Sequence, residues 1–174
     1  MSGATDMDTR ADALHHAFDQ AFAALPTIAS AAGDAFLAIR VAGEPYAVRL
    51  RHTAGVDVDR KVVALPGPMP ECLGIAGLRG NLSAVFDLGA LLGYPVAAPG
   101  RWLLLVGTGE IFALAISGFE GYLRATSREI VAREDGAPRH HVHAVIHAPS
   151  GVRPIIDLDS LLETIKRRVG SVHR

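Results

Sequence analysis

The sequence predicts a mainly β protein in which two related small barrels share one core, with an amphipathic helix near each end. Three observations carry this. From residue 34 onward, short apolar runs alternate with Gly and Pro punctuation, the mark of strands and turns. A unit made of a hairpin, a further strand and a helix start occurs twice. Two segments, one toward each terminus, instead repeat their apolar residues at spacings of three and four.

Residues 1–8 read as a tail. A helix is expected from about Thr9 to Leu25, because Leu14, Phe18, Phe22 and Leu25 line one face and Pro26 stops the turn that follows. The neighbouring His15 and His16 point about 100° apart on such a helix and do not converge as ligands. Ala29 to Gly33 is a short linker, so residues 1–33 stand apart from a main domain over 34–170. Strands are expected at Phe36–Val41, Pro45–Leu50, Leu73–Ala76, Leu82–Phe86, Trp102–Val106, Ile111–Ile116, Val142–His147 and Val152–Ile156. Val62–Leu65 reads as extended, ahead of a loop that three prolines keep irregular.

Phe36 to Leu50 aligns without a gap on Trp102 to Ile116, an offset of 66 residues. Each copy is a strand, a tight turn carrying Gly-Glu, and a second strand, which makes a β-hairpin. Val85-Phe86-Asp87-Leu88 with Leu91-Leu92 recurs as Ile155-Ile156-Asp157-Leu158 with Leu161-Leu162, an offset of 70. In each, an apolar strand runs into a helix that the Asp can cap. Units of about 65 residues bury little apolar area alone, so the two copies are expected to pack together. Small closed barrels would also remove their exposed edges.

The last helix, Leu158 to Val169, sets Leu158, Leu161, Leu162, Ile165 and Val169 on one face. Glu163 and Arg167 form an i,i+4 pair on the other. The two hairpins differ. The first sets Tyr46, Val48 and Leu50 opposite Arg49 and Arg51, an in/out alternation. The second is apolar on both faces from Ile111 to Ile116, so it is either buried on both sides or presents apolar surface to a partner.

The chain has 174 residues, 17 Lys+Arg, 18 Asp+Glu, and a formal net charge of −1. Hydrophobic residues make up 49%, enough to fold. A net charge near zero lacks the field that non-specific nucleic-acid or acidic-membrane binding uses. The ten aromatics fall at core-like positions and build no stacking groove. The lone Cys72 excludes an internal disulfide and reads as an inert, buried thiol. With no signal-like N-terminus and no apolar run near the ~20 residues of a membrane span, a cytoplasmic protein is expected.

Catalytic signals are few. Gly107-Thr108-Gly109 is followed by a strand, so it is a hairpin turn and not a dinucleotide loop. No phosphate loop and no nucleophile elbow occur. The one candidate cluster is His140-His141-Val142-His143-Ala144-Val145-Ile146-His147, where strand alternation would place His141 and His143 on one face as two metal ligands. Polar strand-edge histidines are the plainer account, and the sequence favours no metal, no cofactor and no enzyme.

The stretch Pro70-Glu71-Cys72-Leu73-Gly74-Ile75-Ala76-Gly77-Leu78-Arg79-Gly80-Asn81-Leu82-Ser83-Ala84-Val85-Phe86-Asp87-Leu88 resembles the hallmark of CheW-like coupling proteins of bacterial chemosensory arrays. That hallmark reads Gly, two residues, Asn-Leu-Arg-Gly, three residues, Pro-Val/Ile-x-Asp-Leu. The resemblance runs from about Phe36 to Leu162 and takes in Gly43-Glu44-Pro45-Tyr46. It implies two intertwined five-stranded SH3-like barrels. It also implies a non-enzymatic adaptor that links the cytoplasmic tips of chemoreceptors to a CheA-type histidine kinase. Such adaptors use apolar edges of both barrels and also touch the kinase's CheW-like regulatory domain. The implied partner-binding residues are Arg79 with Gly74 and Gly80. Thr53 and Gly55 add to them, at positions where the family usually carries Val and Glu beside the receptor-facing groove. Gly77 stands where the family has Asn, and Ala84 where it has Pro. These departures suit a divergent coupler or a stand-alone module with a changed partner, as in pilus-based motility.

Overall fold

Gly43 and Gly109, which the repeat aligns, both take positive φ values, 83° and 92°. Each turns its chain from one strand to the next where a side chain would be strained. From these turns the elements follow in order in the computed structural model, which describes residues 33–98, 100–133, 139–148 and 151–172. The first half holds β1 (Asp34–Val41), β2 (Glu44–Arg49), a 3-10 turn (Leu50–His52), β3 (Thr53–Val58), β4 (Val62–Val63), β5 (Cys72–Leu78), β6 (Asn81–Asp87) and the short helix α1 (Leu88–Leu91). The second half holds β7 (Trp102–Val106), β8 (Phe112–Ile116), β9 (Gly118–Ala125), β10 (Ile130–Ala132), β11 (Val142–Ala148), β12 (Gly151–Ile156) and helix α2 (Leu158–Val172). The helix expected over Thr9–Leu25 lies outside the described residues.

The strands form two sheets, ordered β10-β11-β12-β2-β1-β9 and β3-β7-β8-β6-β5-β4. Each therefore contains one hairpin of one repeat and the later strands of the other. The exchange is made at the antiparallel pairs β1–β9 and β3–β7 and at two parallel seams. Val85 and Phe86 pair with Ala113 and Leu114, and Ile155 and Ile156 pair with Ala47 and Val48. The repeat offsets map one seam onto the other residue for residue. The match extends to the helix starts, where the Asp87 amide donates to the Glu71 carbonyl and the Asp157 amide to that of His141, both at 2.8 Å. The Asp87 carboxylate then accepts from the Gly89 amide, and that of Asp157 from the Ser160 amide, capping α1 and α2 as expected.

Each sheet has six strands where the resemblance implies five. Among the described residues no ladder joins the outer strands of either sheet, so the fold is two mixed sheets, each with a small apolar cluster of its own, around one main core. That core draws on both repeats, with Leu37, Ile39, Phe86, Leu104, Leu114 and Ile156 packed together. Helix α2 adds Leu158, Leu161 and Ile165, as its spacing predicts. Among the described residues its ion pairs run from Arg168 to Glu71 at 2.6 Å and from Asp159 to His52 at 3.4 Å, and not from Glu163 to Arg167, because the helix lies against the first repeat.

The hairpin expectations divide. Strand β8 is buried at every position, which settles its doubly apolar pattern in favour of the core, while Ile111 just before it stays half-buried. In β2 the in/out alternation fails: Tyr46, Ala47 and Val48 are all buried. The parallel seam covers one face and the core the other, and the chain leaves the strand at Arg49, which puts Leu50 at the surface.

Candidate functional site

The turn between β5 and β6 is Leu78-Arg79-Gly80-Asn81, with Leu78 and Asn81 paired across it. Arg79 and Gly80 both have positive φ, 49° and 83°, the backbone of a two-residue hairpin turn of the I′ kind. That conformation costs a residue with a side chain about 1–2 kcal/mol. An arginine held there is a departure from local preference of the sort that gathers at working sites.

The side chain of Arg79 reaches across to β3. Its Nη2 donates to the Ala54 carbonyl at 2.8 Å. That carbonyl is free because the β3–β7 ladder bulges between Thr53 and Gly55. Gly55 lies directly beneath the guanidinium: a Cβ there would sit 2.5 Å from Nη2. Arg79, Gly80 and Gly55 thus converge into one clamp, although 24 residues separate Gly55 from Arg79 in the sequence.

Thr53 and Gly74 do something else. The Thr53 hydroxyl donates to the Leu50 carbonyl at 2.8 Å and closes the 3-10 turn. It stands next to Ala54 at the edge of the clamp, with its hydroxyl spent on Leu50 and not on Arg79. Gly74 has φ 135°, and a Cβ on it would fall 2.0 Å from the Val63 carbonyl oxygen. Its role is the close approach of β4 to β5, away from the turn. Gly77, in place of the family Asn, has open space around it.

Beside Arg79 runs a groove of about 280 Å³ between the β5–β6 turn and the β7–β8 turn. Leu82, Ala84, Ile111 and Phe112 line it, with Arg79 and Glu110 also on its walls. Leu82 is 76% exposed, the most exposed large hydrophobic residue among those described. An apolar strip flanked by one cation and one anion has the composition of a protein-docking surface. Leu82, Glu110 and Phe112 were not singled out from the sequence. The available signal was the leucine following Asn81, apolar where a turn exit is usually polar.

The histidine run does not assemble. His141 precedes β11 with φ 57°, and the strand bulges between Val142 and Ala144, so the alternation that would align His141 with His143 is broken. His141 is held by Ser160, its Nδ1 2.9 Å from the hydroxyl oxygen. Burial first, and then the neighbouring His140, push its pKa below the usual histidine value. Among the described residues no group of three or more His, Cys, Asp or Glu side chains gathers where a metal could sit. Nor is any described helix long and apolar enough to cross a membrane. Cys72 is half-buried rather than buried.

Comparison with known proteins agrees with this frame. The family model of the CheW-like domain matches residues 35–166. The fold is similar to that of the scaffolding protein TtCheW from Thermoanaerobacter tengcongensis, with a TM-score of 0.65 and 17% identity over 71% of this chain and 88% of that one. No curated protein matches the sequence. With its family hallmark, duplicated hairpins and two interleaved sheets, the chain belongs to the CheW-like domain family.

Proposed function

We propose that this chain is a non-enzymatic, cytoplasmic adaptor whose working domain is residues 34–170, coupling the cytoplasmic tips of chemoreceptors to a CheA-type histidine kinase. The observation that carries this reading is the apolar groove at Leu82 beside the Arg79 clamp. An exposed leucine in a groove, with a positioned guanidinium alongside, offers a partner the aliphatic anchor and directed donor that concentrate binding energy. The SH3-like barrel description and the contact with the kinase regulatory domain belong to the same proposal. A second reading is a CheW-like module with a changed partner, as in a pilus-type system. It is favoured by Ala84, which stands on the groove wall where the family has Pro.

The test is calorimetric titration of the full chain against a CheA-type kinase from the same organism. Binding is expected, and Leu82→Ala and Arg79→Ala should each weaken it by about tenfold, a loss typical of a hot-spot residue. Absence of binding would end the kinase reading. Binding that both variants leave unchanged would move the interface elsewhere on the molecule.

A further inference from the structure

The apolar groove has a counterpart. The repeat maps Glu110, Phe112, Leu82 and Ala84 onto Glu44, Tyr46, Val152 and Pro154. Those four residues line a second cavity, of about 390 Å³, on the other sheet. The backbone frame is the same and the chemistry is not.

Here the walls carry donors. Tyr46 is 3% exposed, and its hydroxyl lies 3.0 Å from that of Tyr94. A phenol has one proton, so whichever hydroxyl donates in this pair, the other keeps an O–H directed elsewhere. Burial, and then the bond to Tyr94, raise the Tyr46 pKa far above the usual phenol value, which keeps it a neutral donor. The Arg139 guanidinium stacks 3.7 Å from the centre of the Tyr94 ring and spends one Nη1 donor on the Gly93 carbonyl at 3.3 Å. Arg133 also lines the cavity; its backbone amide donates to the His143 carbonyl at 2.7 Å, and its side chain makes no hydrogen bond or ion pair among the described residues. Among the described residues of the lining, one carboxylate, Glu44, stands against these two guanidinium groups. The rest of the lining is apolar, from Val142, Val145, Val152 and Pro154.

We propose that this cavity is a ligand site for a carboxylate carried on a flat apolar body, an arylacetate being the simplest member of the class. Guanidinium and phenol donors match a carboxylate's paired oxygens, and the valine and proline walls cover a ring. The volume falls at the small end of ligand cavities, about 300–1,000 Å³, and suits one or two fused rings. The same chemistry occurs free, as a small aromatic acid, and on proteins, as an acidic side chain beside an aromatic one.

The experiment is an NMR titration of the full chain with three probes: indole-3-acetate, its neutral analogue indole-3-acetamide, and the capped peptide acetyl-Gly-Asp-Phe-Gly-amide. At least one of the two anionic probes should give saturable shifts at Tyr46, Tyr94 and Val145. If indole-3-acetate binds more tightly, the source is a free acid; if the peptide does, it is a protein side chain. The acetamide should bind about tenfold more weakly than the acetate, because it lacks the charge. Arg133→Gln and Arg139→Gln should each weaken the anionic probe by about fivefold. Arg133→Gln should leave the melting temperature unchanged, so its effect is not a folding effect. The proposal is overturned if neither anionic probe saturates by about 10 mM, a weaker affinity than a built site would show. It is equally overturned if acetamide binds as well as acetate, or if both arginine variants bind like wild type.

Discussion

At Arg79 the groove is lined by Leu82, Ile111 and Phe112; at the corresponding positions of the other repeat stand Val152, Pro45 and Tyr46. The flanking β-bulges differ in the same way. In β3 the bulged residue is Ala54, and its carbonyl takes the Arg79 guanidinium. At the equivalent place in β9 stands Glu120, whose carboxylate takes Arg40 and Arg153, both at 2.6 Å. The backbone has kept its symmetry, because the parallel seams depend on main-chain groups that tolerate many side chains and both helix caps have kept their Asp. The side chains lining the grooves carry no such duty, and they have diverged into one apolar surface and one donor-rich cavity. A duplicated frame has in this way become a scaffold with two unlike faces.

The largest effects should come from the seams, where the comparison can be broken outright. Phe86 and Ile156 are each 2% exposed and stand at equivalent seam positions. Phe86→Ala is expected to cost about 3–5 kcal/mol and Ile156→Ala about 2–5 kcal/mol. Because each sheet contains strands of both repeats, each variant should unfold in one transition. Trp102 fluorescence and far-ultraviolet circular dichroism in urea should then move together. Two separated transitions would mean that the repeats fold as independent halves, against the exchanged topology.

A smaller effect sharpens the bulge comparison. Gly55 and Gly121 have φ values of 140° and 134°, so a side chain at either is strained. An added Cβ at Gly121 meets nothing within 4 Å, whereas at Gly55 it meets the Arg79 guanidinium. Gly121→Ala should cost about 1–3 kcal/mol for the backbone alone. Gly55→Ala should cost up to about 1 kcal/mol more, for the displaced hydrogen bond. In an Arg79→Ala background that excess should vanish, which a double-mutant cycle measures directly. An excess that survives would place its origin elsewhere than in the clamp.

These comparisons also show what the sequence could and could not disclose. The hairpins, the seam strands and the face of α2 were legible because apolar periodicity and Gly turns mark them. The repeat was legible as likeness, but likeness does not say which copy pairs with which; only the family resemblance, with its intertwined barrels, pointed to the exchange of strands. Strands β3 and β9 were missed because Gly55, Gly118 and Gly121 read as punctuation; β10 is only three residues long. Arg79 and Gly55 were each visible through the family resemblance, yet their contact depends on a bulge that frees the Ala54 carbonyl. Tyr94 comes from the connection after α1, and Arg133 and Arg139 from that between β10 and β11, and they carry no spacing signal at all.

The turn itself supplies a test that separates fold from function. Arg79→Gly relieves the left-handed backbone, while Arg79→Ala keeps the strain and loses the clamp. The glycine variant should therefore be about 1 kcal/mol more stable than the alanine variant. If the guanidinium serves a partner, both should bind it equally poorly despite that difference. Binding that followed stability instead would reduce Arg79 to a turn residue.

The smallest effect is electrostatic and belongs to one repeat only, since Val106, Ala54 and Ser83 occupy the positions equivalent to Arg40, Glu120 and Arg153. Arg153, and then Arg40, hold the Glu120 carboxyl below the usual glutamate value. The folded state therefore binds this proton less tightly than the unfolded chain. Its contribution to stability is complete above the unfolded value near about 4.3 and is lost as pH falls through the folded value. Glu120→Gln should cost about 1 kcal/mol or less at neutral pH, because the cluster is partly open to solvent. The gap between variant and wild type in urea midpoints should then close toward pH 3, leaving the variant with the shallower acid limb. A gap that stays constant with pH would show that the carboxylate acts through packing and not through charge. In wild type, the protection factors of the amides near Phe119 and Tyr122 should fall in acid. Thr53–Val58 should not serve as an inert reference for this change, because Arg60 holds the Asp57 carboxyl there below its usual value as well.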